Sequence, residues 1–299
     1  MKIIVTGATG YIGQALLRSA RARGCQLAIY ARQPIKCDDI TVLSYGSSLP
    51  DAFRGADALI NLAGRAHTTA EADGHDTFEE VNHQLPLRLA KMALAADVRR
   101  FVHVSSIGVH GNTSSLPLTE ATPMAADTAY SRSKAAAELA LQDMFSSAPH
   151  ALTIVRPPMV YGPACPGNFS RLLKLIKTGL PLPFGAIDAR RSFIFVDNLA
   201  DFLLHCALHQ NGHGTYLIAD GSDYAVPQLL RAIGQELNRP VRLFSVPPKW
   251  LRGAAHLIGR QREMDSLTRP LIVDWNHAHK TLRWTPPVDP GSALHLSVT

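Results

Sequence analysis

The chain has 299 residues, 46% of them hydrophobic and 18% charged, which suits one large or two modest globular domains and excludes a disordered chain. Its net charge is +6, but the basic residues are scattered without a long run or a nucleic-acid-binding module, so nucleic acid is not an expected partner. No apolar run approaches the ~20 residues that span a bilayer, so no membrane insertion is expected.

Met1-Lys2-Ile3-Ile4-Val5 runs straight into a glycine motif and reads as a first strand, Ile3–Val5, rather than a leader. A helix follows from Tyr11 to Arg23, with Ile12, Ala15, Leu16 and Ala20 spaced for one buried face and Gly24 closing it. Leu27–Tyr30, Val42–Leu43 and Ala58–Leu62 read as three more strands. Helix Phe78–Ala95, strand Arg100–Val104, helix Ala129–Phe145 and strand Leu152–Val155 continue the alternation. Such alternation predicts a parallel sheet with helices on both faces and right-handed crossovers.

After Arg156 the pattern loosens, with Pro157, Pro158, Pro163, Pro166, Pro181 and Pro183 in irregular stretches. Short elements follow at Ser192–Val196, Asn198–His209, Thr215–Ile218, Val226–Leu237 and Val241–Phe244, the last as a strand. These predict residues 1–156 as one domain and 157–299 mainly as a smaller α/β lobe, with residues near 190–220 returning to the first. Lys249–Arg262 sets Trp250, Leu251, Leu257 and Ile258 among basic residues; a helix packed on the lobe is expected, with an amphipathic surface helix as the alternative.

Cys25, Cys37, Cys165 and Cys206 show neither metal nor redox spacing, so reduced thiols in a cytoplasmic protein are expected. His205 and His209 stand at i, i+4, but no HExxH motif or third ligand accompanies them, and no metal is expected.

Thr6-Gly7-Ala8-Thr9-Gly10-Tyr11-Ile12-Gly13 joins the first strand to the first helix. Gly7, Gly10 and Gly13 suit a tight turn, the approach of a pyrophosphate to the backbone, and close helix–strand packing, with the helix N-terminus facing the phosphates. Strand two ends Ile29-Tyr30-Ala31-Arg32 with no carboxylate for a ribose hydroxyl. A guanidinium at Arg32 suits a ribose 2′-phosphate instead, so NADP is favoured over NAD. Tyr130 and Lys134, four apart, share one helix face, where an ammonium favours the phenolate of its neighbour. Ser105-Ser106 closes an apolar strand, and a hydroxyl there can bind the oxygen that Tyr130 protonates or deprotonates.

Taken together, these residues resemble an extended short-chain dehydrogenase/reductase of the UDP-glucose 4-epimerase-like, NAD-dependent epimerase/dehydratase family, over nearly the whole length. The resemblance implies a Rossmann-type doubly wound sheet with a smaller C-terminal lobe that binds substrate. Thr6–Gly13 is similar to the family's dinucleotide loop, and Asn61-Leu62-Ala63-Gly64 to the segment whose backbone lies along the cofactor. Phe101 to Gly111 matches its serine strand, with Ser106 as catalytic hydroxyl and Ser105 beside the cofactor. Tyr130-Ser131-Arg132-Ser133-Lys134 is its Tyr-x-x-x-Lys, and Asn82 its helix asparagine. Arg156-Pro157-Pro158-Met159-Val160-Tyr161-Gly162-Pro163 resembles its segment near the nicotinamide, with Pro157 in contact.

In the lobe, the resemblance implies that Asn168 and Arg191 contact a sugar diphosphate, with a second phosphate arginine at Arg262 or Arg269. Leu282-Arg283-Trp284-Thr285-Pro286 matches its closing motif. The implied substrate is a nucleotide sugar, UDP-linked, changed at C4 by a 4-epimerase or a 4-ketoreductase. Relatives also suggest a homodimer through the Tyr130 helix. A 4,6-dehydratase is disfavoured because Ile107-Gly108, not Asp-Glu, follows Ser106. The alternative from another class is a dinucleotide-binding sensor or scaffold, disfavoured by the retained Tyr–Lys pair. The chain departs from the pattern in lacking an acid after strand two and in Leu43-Ser44-Tyr45-Gly46-Ser47, in Gln84-Leu85-Pro86, and in His110 where a tyrosine is common.

Overall fold

The computed structural model describes residues 1–32, 40–44, 52–66 and 78–298, without the side chains of Ser44, Asn168 and Arg262. In chain order the first half gives β1 (Lys2–Thr6), α1 (Tyr11–Ala22), β2 (Gln26–Ala31), β3 (Thr41–Ser44) and β4 (Ala58–Asn61). It continues with α2 (Leu85–Ala95), β5 (Arg100–Val104), α3 (Ala129–Met144) and β6 (Leu152–Arg156). The second half gives β7 (Met159–Tyr161), α4 (Asn168–Lys177), β8 (Arg190–Phe195), α5 (Val196–Leu208) and β9 (Gly214–Leu217). It ends with β10 (Asp223–Ala225), α6 (Val226–Glu236), α7 (Pro248–Leu257), α8 (Gln261–Thr268), α9 (Asn276–Leu282) and α10 (Pro290–Val298).

Seven of these strands form one parallel sheet in the order β3-β2-β1-β4-β5-β6-β9. The order reverses between β1 and β4, which opens a crevice at their C-terminal ends where ligands bind in doubly wound sheets. Alternation along the strands sorts the core into two layers. Ile3, Val5, Ala58, Ile60, Val102 and Val104 face α1 and α5. Ile4, Leu59 and Phe101 face α2 and α3. Strands buried on both faces must read as near-continuous apolar runs, as these do. A smaller sheet, β10-β8-β7, stands apart, although β9 returns to the large one beside β6.

Three sequence expectations are corrected. Val241–Phe244 forms no strand; it meets its neighbour only through the bridges Leu182–Leu243 and Phe184–Ser245. The Leu182 N–H donates to the Arg242 carbonyl at 2.9 Å and its carbonyl accepts from the Phe244 N–H at 3.0 Å, and the pairing ends where the Gly185 N–H turns to the Phe244 carbonyl at 3.0 Å. The helix expected from Phe78 begins as a wide turn, Glu79–Gln84, in which the Leu85 N–H donates to the Glu80 carbonyl five residues back. Pro86 cannot donate to the Asn82 carbonyl four residues back, and the wide turn accommodates that loss. Lys249–Arg262 splits at Gly259 into α7 and α8, and α7 buries only part of its apolar surface: Ala255 is buried and Leu251 packs on the core, whereas Trp250 and Leu257 are exposed.

Candidate active site

The glycine loop is shaped by what it touches. Gly7 adopts φ +67°, and a Cβ there would stand 2.6 Å from the Leu62 carbonyl carbon and 2.7 Å from the Ala63 nitrogen. The turn after β1 therefore runs against the backbone that leaves β4. A Cβ on Gly13 would lie 2.3 Å from the Gly7 oxygen, so the first turn of α1 packs on the loop itself. A Cβ on Gly10 would meet only the Gly7 oxygen, at 3.2 Å, and its other side is open. Thr9 and Gly10 are exposed, and Tyr11 and Ile12 are half-buried. No side chain caps α1 and its first turn holds no acid, so its free N–H groups can receive an anion.

Behind the loop lies a buried polar chain. The Thr6 hydroxyl donates to Asn61 Oδ1 at 2.6 Å, and Asn61 Nδ2 donates to His103 Nδ1 at 3.1 Å. Burial, with the Lys134 charge nearby, holds His103 well below the ordinary imidazole value and keeps it neutral. The Ala63 N–H donates to Thr6 Oγ1 and Asn61 Oδ1 at 3.3 and 3.2 Å, fixing the segment Leu62-Ala63-Gly64. Asn82 brackets the same segment. Its Oδ1 accepts from the Arg65 N–H at 2.8 Å, and its Nδ2 donates to the Arg65 carbonyl at 3.0 Å and to Ser133 Oγ at 3.1 Å. Asn82 thus ties the loop to α3.

A capping box of Thr128 and Ser131 starts α3 and sets the direction of Tyr130 and Lys134. The Tyr130 hydroxyl lies close enough to Ser106 for that side chain to act on it. Ser106 also accepts from the Gly108 N–H at 3.1 Å, capping the short turn Ile107–His110. The Pro157 carbonyl holds that turn by accepting from the Ile107 N–H at 2.9 Å. Lys134, 4% exposed, donates from Nζ to the Val104 carbonyl at 3.0 Å. A Cβ on Gly64 would lie 3.2 Å from that Nζ. Beside it the Ser105 hydroxyl is buried with no partner among the described residues.

The electrostatics differ from the sequence expectation that Lys134 lowers Tyr130. Burial raises the Tyr130 hydroxyl above its ordinary value, and only the Ser106 side chain opposes the rise. Burial also pulls Lys134 down to about 8, with the Glu138 carboxylate acting against it. The Lys134 charge acts on His103 rather than on the Tyr130 hydroxyl.

Glu138 escaped the sequence reading, although it continues the face of Tyr130 and Lys134 by one more helical turn. It is fully buried and grips Arg156: Nε donates to Oε1 and Oε2 at 3.2 and 3.0 Å, and NH2 to Oε2 at 2.5 Å. Arg156 NH1 donates to His110 Nε2 at 2.9 Å, and His110 Nδ1 donates to the Pro123 carbonyl at 3.2 Å. His110 thus has a role here as a neutral link rather than as a substitute for tyrosine.

The remaining expected residues are less convergent. Arg32 is exposed directly after β2, two residues beyond Tyr30, the partner of Thr6 in the register. Arg191 NH1 donates to the carbonyls of Asn112 and Arg269 at 3.2 and 2.9 Å, and burial lowers it to about 10. It clamps the loop beyond the Ser106 turn to the end of α8. Arg269 itself pairs with Asp265 at 3.1 Å. Asn168 begins α4, but its side chain, like that of Arg262, lies outside the described residues. Among the described residues no His, Cys, Asp or Glu cluster could hold a metal; His205 instead stacks on His209.

The model of the NAD dependent epimerase/dehydratase family matches residues 3–219. UDP-glucose 4-epimerase of Vibrio cholerae is 31% identical over 299 residues, covering 95% of this chain and 90% of the relative. The N-acetyl-alpha-D-glucosaminyl-diphospho-ditrans,octacis-undecaprenol 4-epimerase of Escherichia coli O157:H7 is 26% identical, covering 82% of this chain and 75% of the relative. The crystal structure of UDP-N-acetylglucosamine 4-epimerase from Bacillus cereus shares the fold with a TM-score of 0.80 at 19% identity, covering 99% of this chain and 97% of that one. By the extent of the family match and the likeness of the Vibrio relative, the chain belongs to the NAD-dependent epimerase/dehydratase family of extended short-chain dehydrogenases/reductases.

Proposed function

We propose that the protein exchanges hydride at C4 of a UDP-linked hexose or N-acetylhexosamine, as a 4-epimerase. The carrying observation is the meeting of Tyr130, Ser106 and Lys134 at the open end of β5, with Ser106 acting on the Tyr130 hydroxyl and Lys134 one turn along α3 and against Gly64. The open side of Gly10, the uncapped start of α1 and the unpartnered Ser105 hydroxyl fit a nicotinamide dinucleotide. When bound, the nicotinamide supplies the hydride acceptor and donor.

Ser106 then holds the C4 oxygen, and Tyr130 takes or returns its proton. Burial raises Tyr130, which favours the phenol that returns the proton to the 4-ketone in the second half-reaction, after the first has taken it from the C4 hydroxyl. Lys134 orients the ribose beside Gly64. Asn168 from the lobe, taken mainly as residues 157–299, and Arg191 at the start of the segment near 190–220 bind the sugar diphosphate. UDP as the carrier is supported by the named activity of the Vibrio relative.

Arg32 supports a second outcome of the same chemistry. A guanidinium there favours NADP, which exchanges between turnovers, and so a 4-ketoreductase. Product analysis of purified protein separates the two. An epimer formed from UDP-glucose or UDP-N-acetylglucosamine without added nucleotide supports the epimerase. Reduction of a UDP-4-keto sugar at the expense of NADPH, without epimerisation, assigns the reductase. Failure of both reactions sinks the proposal.

A further inference from the structure

Helix α7 carries two apolar faces. One, with Leu251 half-buried and Ala255 buried, packs against the lobe, and Arg252 on its edge donates to Thr268 Oγ1 at 3.5 Å to tie α7 to α8. The other face is Trp250, Gly253, Ala254 and Leu257, spaced i, i+3, i+4, i+7, and every one of them is exposed. Trp250 is 73% exposed, Leu257 85% and the adjoining Ile258 71%. An outward stripe normally carries the polar residues of a surface helix. Here the polar positions stand beside it: Lys249 and His256, seven apart, flank one side, and Arg260 follows the helix end. From Lys249 to Arg262 the sequence holds four Lys or Arg and no acid.

We propose that α7 docks the protein on an anionic phospholipid surface. Charge decides among the occupants. A second copy meeting this face through a two-fold axis would bring two acid-free basic segments together, which costs association energy. A bilayer with acidic headgroups supplies the opposite charge, an apolar layer for Leu257 and Ile258, and the interfacial zone where an indole with one polar edge is favoured. No helix among the described residues is long and apolar enough to cross a membrane, so the contact is peripheral. The face belongs to the lobe and leaves the Tyr130 crevice unused, so the inference stands apart from the catalytic reading.

The test is co-sedimentation of the full chain with vesicles of phosphatidylglycerol and phosphatidylcholine, against phosphatidylcholine alone. The protein is expected to bind the acidic vesicles at least about tenfold more tightly, with binding lost as salt rises. Trp250→Ser with Leu257→Ser should weaken binding at least about tenfold at an unchanged melting temperature, since both side chains already stand in water. Lys249→Glu with Arg260→Glu should weaken it similarly. Three results would overturn the proposal: no binding to acidic vesicles, binding indifferent to the Trp250 and Leu257 substitutions, or a concentration-dependent dimer that the same substitutions abolish.

Discussion

The Glu138 carboxylate accepts from both Nε and NH2 of Arg156, and the two side chains are 0% and 4% exposed. This pair crosses from α3 to β6 and closes the floor beneath Tyr130 and Lys134. A buried charge left alone costs far more than the pair contributes. Glu138→Gln should therefore destabilise the protein by about 3–5 kcal/mol. Replacing Glu138 and Arg156 together with Met should recover much of that loss. Denaturant unfolding of both variants checks this, and equal losses in the two would show that the pairing itself is not the cause.

Removing the Tyr130 hydroxyl tests the proposed proton transfer. Tyr130→Phe keeps the ring, which stands edge-on to Phe78 at 6.2 Å, so the fold should hold. Turnover should fall about 10²- to 10⁴-fold with nicotinamide dinucleotide binding retained. Steady-state rates and a binding titration on the same preparation measure both quantities; unimpaired turnover would remove Tyr130 from the mechanism.

Lys134 gives a pH dependence of defined sign. In the folded chain it loses its proton near pH 8, whereas in the unfolded chain it holds it to about 10.4. Between those values the unfolded chain binds the extra proton, so this residue makes stability rise with pH across that window and contributes no slope below it. The rise should amount to about 3 kcal/mol at most. Subtracting unfolding free energies of Lys134→Met from those of the parent at each pH isolates this contribution. A flat difference between pH 8 and 10 contradicts the burial-driven shift.

Two glycines of like backbone conformation should respond differently to alanine. Gly7 and Gly24 both have φ +67°, but an added Cβ meets Leu62 backbone at 2.6 Å from Gly7 and nothing within 4 Å from Gly24. Gly24→Ala should cost only about 1 kcal/mol. Gly7→Ala should cost more and also weaken dinucleotide binding, because the loop must leave the β4 segment. Similar losses at both sites would mean that the close approach is unimportant.

Arg32 carries the cofactor choice. Arg32→Asp removes the guanidinium and offers an acceptor to a ribose hydroxyl, so the NADP-to-NAD affinity ratio should drop about 10- to 100-fold. Isothermal titration with each dinucleotide reads this out. An unchanged ratio returns Arg32 to the role of a solvent-facing residue.

Much of the fold was legible because it is written in local periods. The apolar run of β5 matched its strand bounds, Arg100–Val104, and the i, i+4 spacing of Tyr130 and Lys134 stated their shared face. Glycine spacing likewise announced the loop between β1 and α1, since only residues without a Cβ fit so close to Leu62 and Gly7. Tertiary pairing was another matter. Glu138 finds Arg156 across two elements, Asn61 finds His103 between adjacent strands, and Arg191 holds carbonyls of Asn112 and Arg269, far away along the chain. No local period encodes which distant partner satisfies a buried charge. The same holds for α7, whose apolar residues were visible in the sequence while their exposure was not. A helix pattern reveals stripes, and only the packing of the lobe decides that Ala255 turns inward and Trp250 and Leu257 face out.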